Sequence, residues 1–106
     1  MFAQLMGLKT ISPRDLHQQH GITVFDVNSR QSWMSARVPG AVHYDEGAEL
    51  PADKSAALVF YCSNPLCRKA PNAAKRAKQL GYTNVRVMSA GISGWISAGL
   101  PTESGA

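Results

Sequence analysis

Apolar and polar residues alternate along this chain in short blocks set off by turn signals. Ser12-Pro13-Arg14-Asp15 reads as a helix start: Ser12 can cap, Pro13 suits the first helical position, and Asp15 stands in for the acid of a capping box. That helix is expected to stop near Gly21. Thr23 to Val27 is an apolar run of high β-propensity, read as a buried strand. The polar stretch Asn28 to Arg37, with Trp33 and Met34 inside it, predicts a short helix. Pro39-Gly40 marks a turn, Ala41 to Tyr44 a short strand, and Asp45 to Lys54 a polar loop. Ala56 to Tyr61 is the clearest strand. It is apolar throughout, as a central parallel strand covered on both faces should be. After a loop, a helix is expected from about Pro71 to Leu80. Ala70, Ala73, Ala74, Ala77 and Leu80 form its apolar stripe, and Gly81 forms its stop. Val85 to Met88 is the next strand. Ser89-Ala90-Gly91 then turns into a short helix carrying Trp95, which ends at Gly99-Leu100-Pro101. Strands alternating with helices predict an α/β fold, with a mostly parallel sheet and helices on both faces.

The chain has 106 residues, 44% of them hydrophobic and 17% charged. That suits one domain with one modest core, expected to span the whole chain with its folded body at about residues 9–103. The net charge of +4 fits an anionic small substrate or an acidic partner. The basic residues form no long run and no aromatic-rich strand motif, so nucleic acid is not an expected partner. No segment approaches the about 18 consecutive apolar residues of a membrane span. The apolar start, Met1 to Leu8, lacks the basic flank and cleavage site of a signal peptide, so a cytoplasmic location is the expectation.

Only two cysteines are present, and both lie in the segment Tyr61-Cys62-Ser63-Asn64-Pro65-Leu66-Cys67-Arg68-Lys69-Ala70. Such spacing points to chemistry or redox switching rather than to a disulfide framework. Cys62 sits where a central strand ends and a loop leads into a helix. In open α/β sheets ligands bind outside the carboxyl ends of the strands. Loop amides curling into a helix start, with Arg68 and Lys69 beside them, would stabilise a thiolate and lower its pKa. The same cradle would suit thiosulfate, a persulfide, phosphate or arsenate. A structural core cysteine flanked by two surface cations is the competing reading of the loop by itself. Two cysteines and scattered histidines lack the spacing of a metal site, so no metal is expected.

Several segments resemble the rhodanese-like domain family, in that family's order. Val24-Phe25-Asp26-Val27-Asn28 is similar to its Asp-Val-Arg stretch, and Arg37-Val38-Pro39-Gly40-Ala41 to its His-Ile-Pro-Gly-Ala segment. Val59-Phe60-Tyr61-Cys62 resembles the strand ending in the catalytic cysteine. Ala73-Ala74 through Leu80-Gly81-Tyr82 resembles the helix that follows. Ala90-Gly91, Trp95 and Ala98-Gly99-Leu100-Pro101 resemble its ending. The likeness runs from about Ile11 to Glu103. It implies a three-layer sandwich around a central five-stranded, mostly parallel sheet. It also implies a sulfurtransferase: Cys62 takes sulfane sulfur from thiosulfate or a persulfide donor and passes it to cyanide, a small thiol or a protein thiol. No cofactor is needed.

Three departures bear on that expectation. Asn28 stands where the family has arginine, Arg37 where it has histidine, and the loop is longer by about two residues. Counted from Cys62 to Arg68, it reads Cys-x5-Arg, as in phosphatase and arsenate-reductase relatives of the fold. However, Pro65 removes one amide donor from such a cradle. The expected site therefore has Cys62 as nucleophile and Ser63, Asn64, Leu66, Cys67, Arg68 and Lys69 as the anion-binding loop. Cys67 is a candidate resolving thiol, and Asp26 and Arg37 are candidate supports. The competing functions are a phosphatase or arsenate reductase and a regulatory or redox-sensing module without turnover. His17, His20 and His43 are read as structural or surface residues.

Overall fold

The computed structural model describes residues 2–45 and 47–106; Met1 of the apolar start and Glu46 of the expected 45–54 loop lie outside them. The chain forms helices α1 (Phe2–Leu5), α2 (Pro13–Gln18), α3 (Arg30–Ser35), α4 (Lys69–Gln79) and α5 (Gly91–Ser97). Its strands are β1 (Lys9–Thr10), β2 (Ile22–Asp26), β3 (Val42–His43), β4 (Ala57–Tyr61) and β5 (Val85–Val87). The strands pair in the order β1-β5-β4-β2-β3, and every pairing is parallel. The α/β class and the five-stranded parallel sheet are those expected.

The central strand shows why the sheet is buried on both faces. Successive side chains of a strand point to opposite sides. Leu58 and Phe60 join one core cluster with Phe25, Val85, Val87 and the alanines of α4. Val59 and Tyr61 join another with Val24, Leu16 of α2 and Trp95 of α5. The residues of β4 from Leu58 to Tyr61 are completely inaccessible. Such a strand can read only as a continuous apolar run.

Most element edges fall within one or two residues of the sequence expectation, the ordinary uncertainty of strand and helix ends. Ser12 caps α2 as expected, its hydroxyl accepting from the Asp15 amide at 3.1 Å. Four features differ. First, β1 was not legible, because a two-residue exposed edge strand carries no apolar signal. Second, the apolar start contains a helix, α1, which buries Ala3. Third, α4 begins at Lys69, so Pro71 falls in its first turn. An amide there needs no intrahelical acceptor, so proline does no harm. Fourth, Leu80 is 52% exposed rather than buried. It follows the last helical residue, where the chain leaves the stripe. Gly81, at φ +102°, reverses the backbone, and the Tyr82 amide donates to the Ala77 carbonyl at 3.2 Å. Tyr82 takes the buried place that Leu80 was expected to fill.

Candidate functional site

The carboxyl ends of β2 and β4 lie side by side, with Asp26 paired to Tyr61. Asp26 is fully buried. One carboxyl oxygen accepts from the Asn28 amide at 2.8 Å and the other from the Tyr61 hydroxyl at 2.7 Å. The Tyr61 hydroxyl in turn accepts from the Val38 amide at 3.1 Å. Burial, then the Asp26 hydrogen bond, pushes the Tyr61 phenol far above its ordinary value, so it stays protonated as the donor. This network fixes the backbone on both sides of the strand end.

Cys62 follows Tyr61 directly, and α5 clamps the loop there. The Ile92 amide donates to the Cys62 carbonyl at 2.9 Å and the Ser93 amide to the Ser63 carbonyl at 3.0 Å. This approach requires Gly91. Its φ is +68°, and a Cβ there would lie 2.6 Å from the Asn64 nitrogen and the Ser63 carbonyl carbon. Beyond the clamp the loop closes on itself. The Asn64 side-chain oxygen accepts from the Leu66 amide at 2.9 Å, and the Asn64 carbonyl accepts from the Cys67 amide at 3.1 Å. Those two amides were expected to face a bound anion; here they close a turn, as asparagine readily arranges.

Both cysteines are free thiols. Cys62 is 3% exposed, and half-buried Cys67 packs against the cluster that contains it. Burial, then the neighbouring Cys67 thiol, pushes the Cys62 thiol up to about 12. This reverses the sequence expectation of a lowered value at Cys62. For Cys67, partial burial works upward. The Cys62 thiol, the amides of Lys69 and Ser63 and the Lys69 charge outweigh it, and the net shift is downward. Amides of Ala70 and Ser63 also work downward at Cys62, but burial outweighs them there, whereas at Cys67 the lowering contributions prevail. The two cysteines share a cleft of about 10 Å³ with Ala3, Ala70 and Ser89, hardly room for one water. Among the described residues the buried Ser89 Oγ has no hydrogen-bond partner.

The other expected residues divide between this cleft and its surroundings. Asn64 lines the cleft. Leu66 is 72% exposed and does not line it. The Ser63 hydroxyl donates away from it, to Asn28 Oδ1 at 2.7 Å. Arg68 is exposed at the head of α4, its carbonyl accepting from the Asn72 amide at 3.0 Å. Lys69 lines a separate groove of about 550 Å³ with Asn28, His43, Tyr44, Asn72 and Arg76. Arg37 is not a support of the loop. It is buried over the Trp33 ring, 3.9 Å from the centroid, and donates to Glu103 at 3.3 Å and the Gly105 carbonyl at 2.6 Å. The sequence reading missed Asn28, Ser89 and Gly91 as site residues. Asn28 was visible only as an absent arginine. Gly91 carried a turn signal but nothing to say what pressed against it.

Comparison with known proteins agrees with this architecture. The family model of the rhodanese-like domain matches residues 12–98. The HTH-type transcriptional regulator Rv0324 of Mycobacterium tuberculosis is 32% identical over 91 residues, covering 80% of this chain; the chain spans only 39% of that protein's length. The BH2092 protein of Bacillus halodurans superposes with a TM-score of 0.79 at 23% identity, covering 97% of this chain and 83% of that one. Thiosulfate sulfurtransferase from Pseudomonas aeruginosa superposes with a TM-score of 0.77 at 27% identity, covering 92% of this chain and 20% of that one. With its parallel five-stranded sheet and a cysteine at the end of the central strand, the chain belongs to the rhodanese-like domain family.

Proposed function

We propose that this chain is a sulfurtransferase that carries sulfane sulfur as a persulfide on Cys62. The observation that carries this reading is the position of Cys62: it ends the central strand, its carbonyl held by α5 and its side chain in the cleft beneath α4. In the first half-reaction the Cys62 sulfur attacks the outer sulfur of thiosulfate or a persulfide. A new S–S bond forms, the donor's S–S bond breaks, and sulfite or a thiolate leaves with the electron pair. In the second, cyanide or a thiolate takes the outer sulfur and returns Cys62 as thiolate. Closure of the cleft means that the loop must yield to admit the donor. The self-contained turn from Asn64 to Cys67 is the part that can move without releasing the clamp on Cys62.

Phosphate or arsenate chemistry fits less well. Pro65 offers no amide, and those of Leu66 and Cys67 are engaged by Asn64, so the loop presents few donors to a bound phosphate or arsenate. A regulatory module is the second reading, favoured by the likeness to a transcriptional regulator. Thiosulfate-to-cyanide transfer by wild type and Cys62→Ala decides between them. Turnover lost with Cys62→Ala is the expected result; no turnover in the wild type transfers the assignment to the regulatory reading.

A further inference from the structure

Two thiols and an unpartnered hydroxyl share one narrow cleft, and a persulfide mechanism uses only one of the three. Cys62 and Cys67 both line it, and Cys67 packs against the core cluster that contains Cys62. The turn that brings Cys67 there is fixed by two hydrogen bonds that Asn64 accepts, from the Leu66 amide at 2.9 Å and the Cys67 amide at 3.1 Å. The cleft is narrow, about 10 Å³, so a sulfur added to Cys62 lies close to the Cys67 thiol.

We propose that Cys67 is a second catalytic cysteine, whose thiolate attacks the Sγ of a Cys62 persulfide, closes a Cys62–Cys67 disulfide and expels hydrosulfide. The inference rests on the persulfide reading of Cys62. The step balances without an outside oxidant. The Cys67 Sγ–Cys62 Sγ bond forms and the Cys62 Sγ–sulfane bond breaks. The sulfane sulfur leaves with that electron pair and is reduced to sulfide, while the two cysteine sulfurs are oxidised to the disulfide. A dithiol reductant then restores both thiols, so the full cycle turns thiosulfate and a dithiol into sulfite, sulfide and an oxidised dithiol.

Two features choose this route over handing the outer sulfur to Cys67. Attack on the outer sulfur must expel the Cys62 thiolate, the base of a weaker acid than hydrogen sulfide. Attack on Sγ expels hydrosulfide, the base of a stronger acid. It also clears the added sulfur from the narrow cleft that both thiols line. Cys67 is suited to attack, because the amides of Lys69 and Ser63 and the Lys69 charge stabilise its anion. The free Ser89 hydroxyl, buried in the same cleft, can donate to the departing sulfide.

The test is a single turnover under anaerobic conditions. Wild type, Cys67→Ser and Cys67→Ala proteins receive stoichiometric thiosulfate with no acceptor, and sulfite, sulfide and intact mass are followed. The expected wild-type result is sulfite followed by sulfide, with a product two hydrogens lighter that dithiothreitol restores. Either Cys67 variant is expected to release sulfite, stay one sulfur heavier and release no sulfide. Wild-type protein that stays one sulfur heavier and yields no sulfide overturns the second cysteine's role while leaving the persulfide reading intact. Absence of both sulfite and any mass change overturns the persulfide reading, and this inference with it.

Discussion

A buried thiol flanked by a better-solvated one inverts the usual picture of a reactive cysteine. Accessibility and local charge both favour Cys67 as the thiol that ionises first, although Cys62 occupies the strand end. Alkylation by iodoacetamide at neutral pH is therefore expected to label Cys67 before Cys62. Labelling of Cys62 should rise as pH climbs from 9 toward about 12, because a raised pKa keeps the unreactive thiol populated to higher pH. In Cys67→Ala, Cys62 loses a neighbour whose hydrogen bond and charge both work upward. Its labelling profile should then move to lower pH. Peptide mapping of the labelled protein checks both outcomes. Cys62 labelled first in neutral wild-type protein contradicts the order set by burial.

At the scale of elements, the loop depends on the start of α5. Gly91→Ala would place a methyl 2.6 Å from loop backbone atoms at a φ of +68°. Loop or helix must shift, at about 1 to 3 kcal/mol. The expected outcome is a folded protein of lower Tm whose sulfur transfer falls much further than its stability. Transfer equal to wild type would mean that the clamp does not position Cys62. The same contact shows how far the sequence could be read. The strand ending in Cys62 and the alanine stripe of α4 were legible because burial on a regular element leaves a periodic trace. What presses against Gly91, or bonds to Asn28, is set by elements distant in sequence and leaves none. Arg37 misled for a related reason. Its partners Glu103 and Gly105 lie far along the chain, so a buried structural arginine looked like a displaced site cation.

Across the whole molecule, Tyr61 and Asp26 join what the chain order separates. Their hydrogen bonds tie β4 to β2 and to the Val38 amide. Tyr61→Phe removes no core volume but leaves a buried carboxyl oxygen and a buried amide without their partner. That is expected to destabilise the fold by about 2 to 4 kcal/mol. Chemical denaturation with an unchanged m-value checks it, and a loss under about 0.5 kcal/mol would show that the network is dispensable. The two ends of the described chain also fare differently. Ala3 of α1 forms part of the wall around Cys62, whereas Gly105 bonds to Met34 and Arg37 beside α3. A bulkier residue in place of Ala3 is therefore expected to crowd the cleft that holds the proposed sulfur carrier, and to lower sulfur transfer. A change at Gly105 acts instead on the surface tied to α3, so the two ends offer separate handles on sulfur chemistry and on stability.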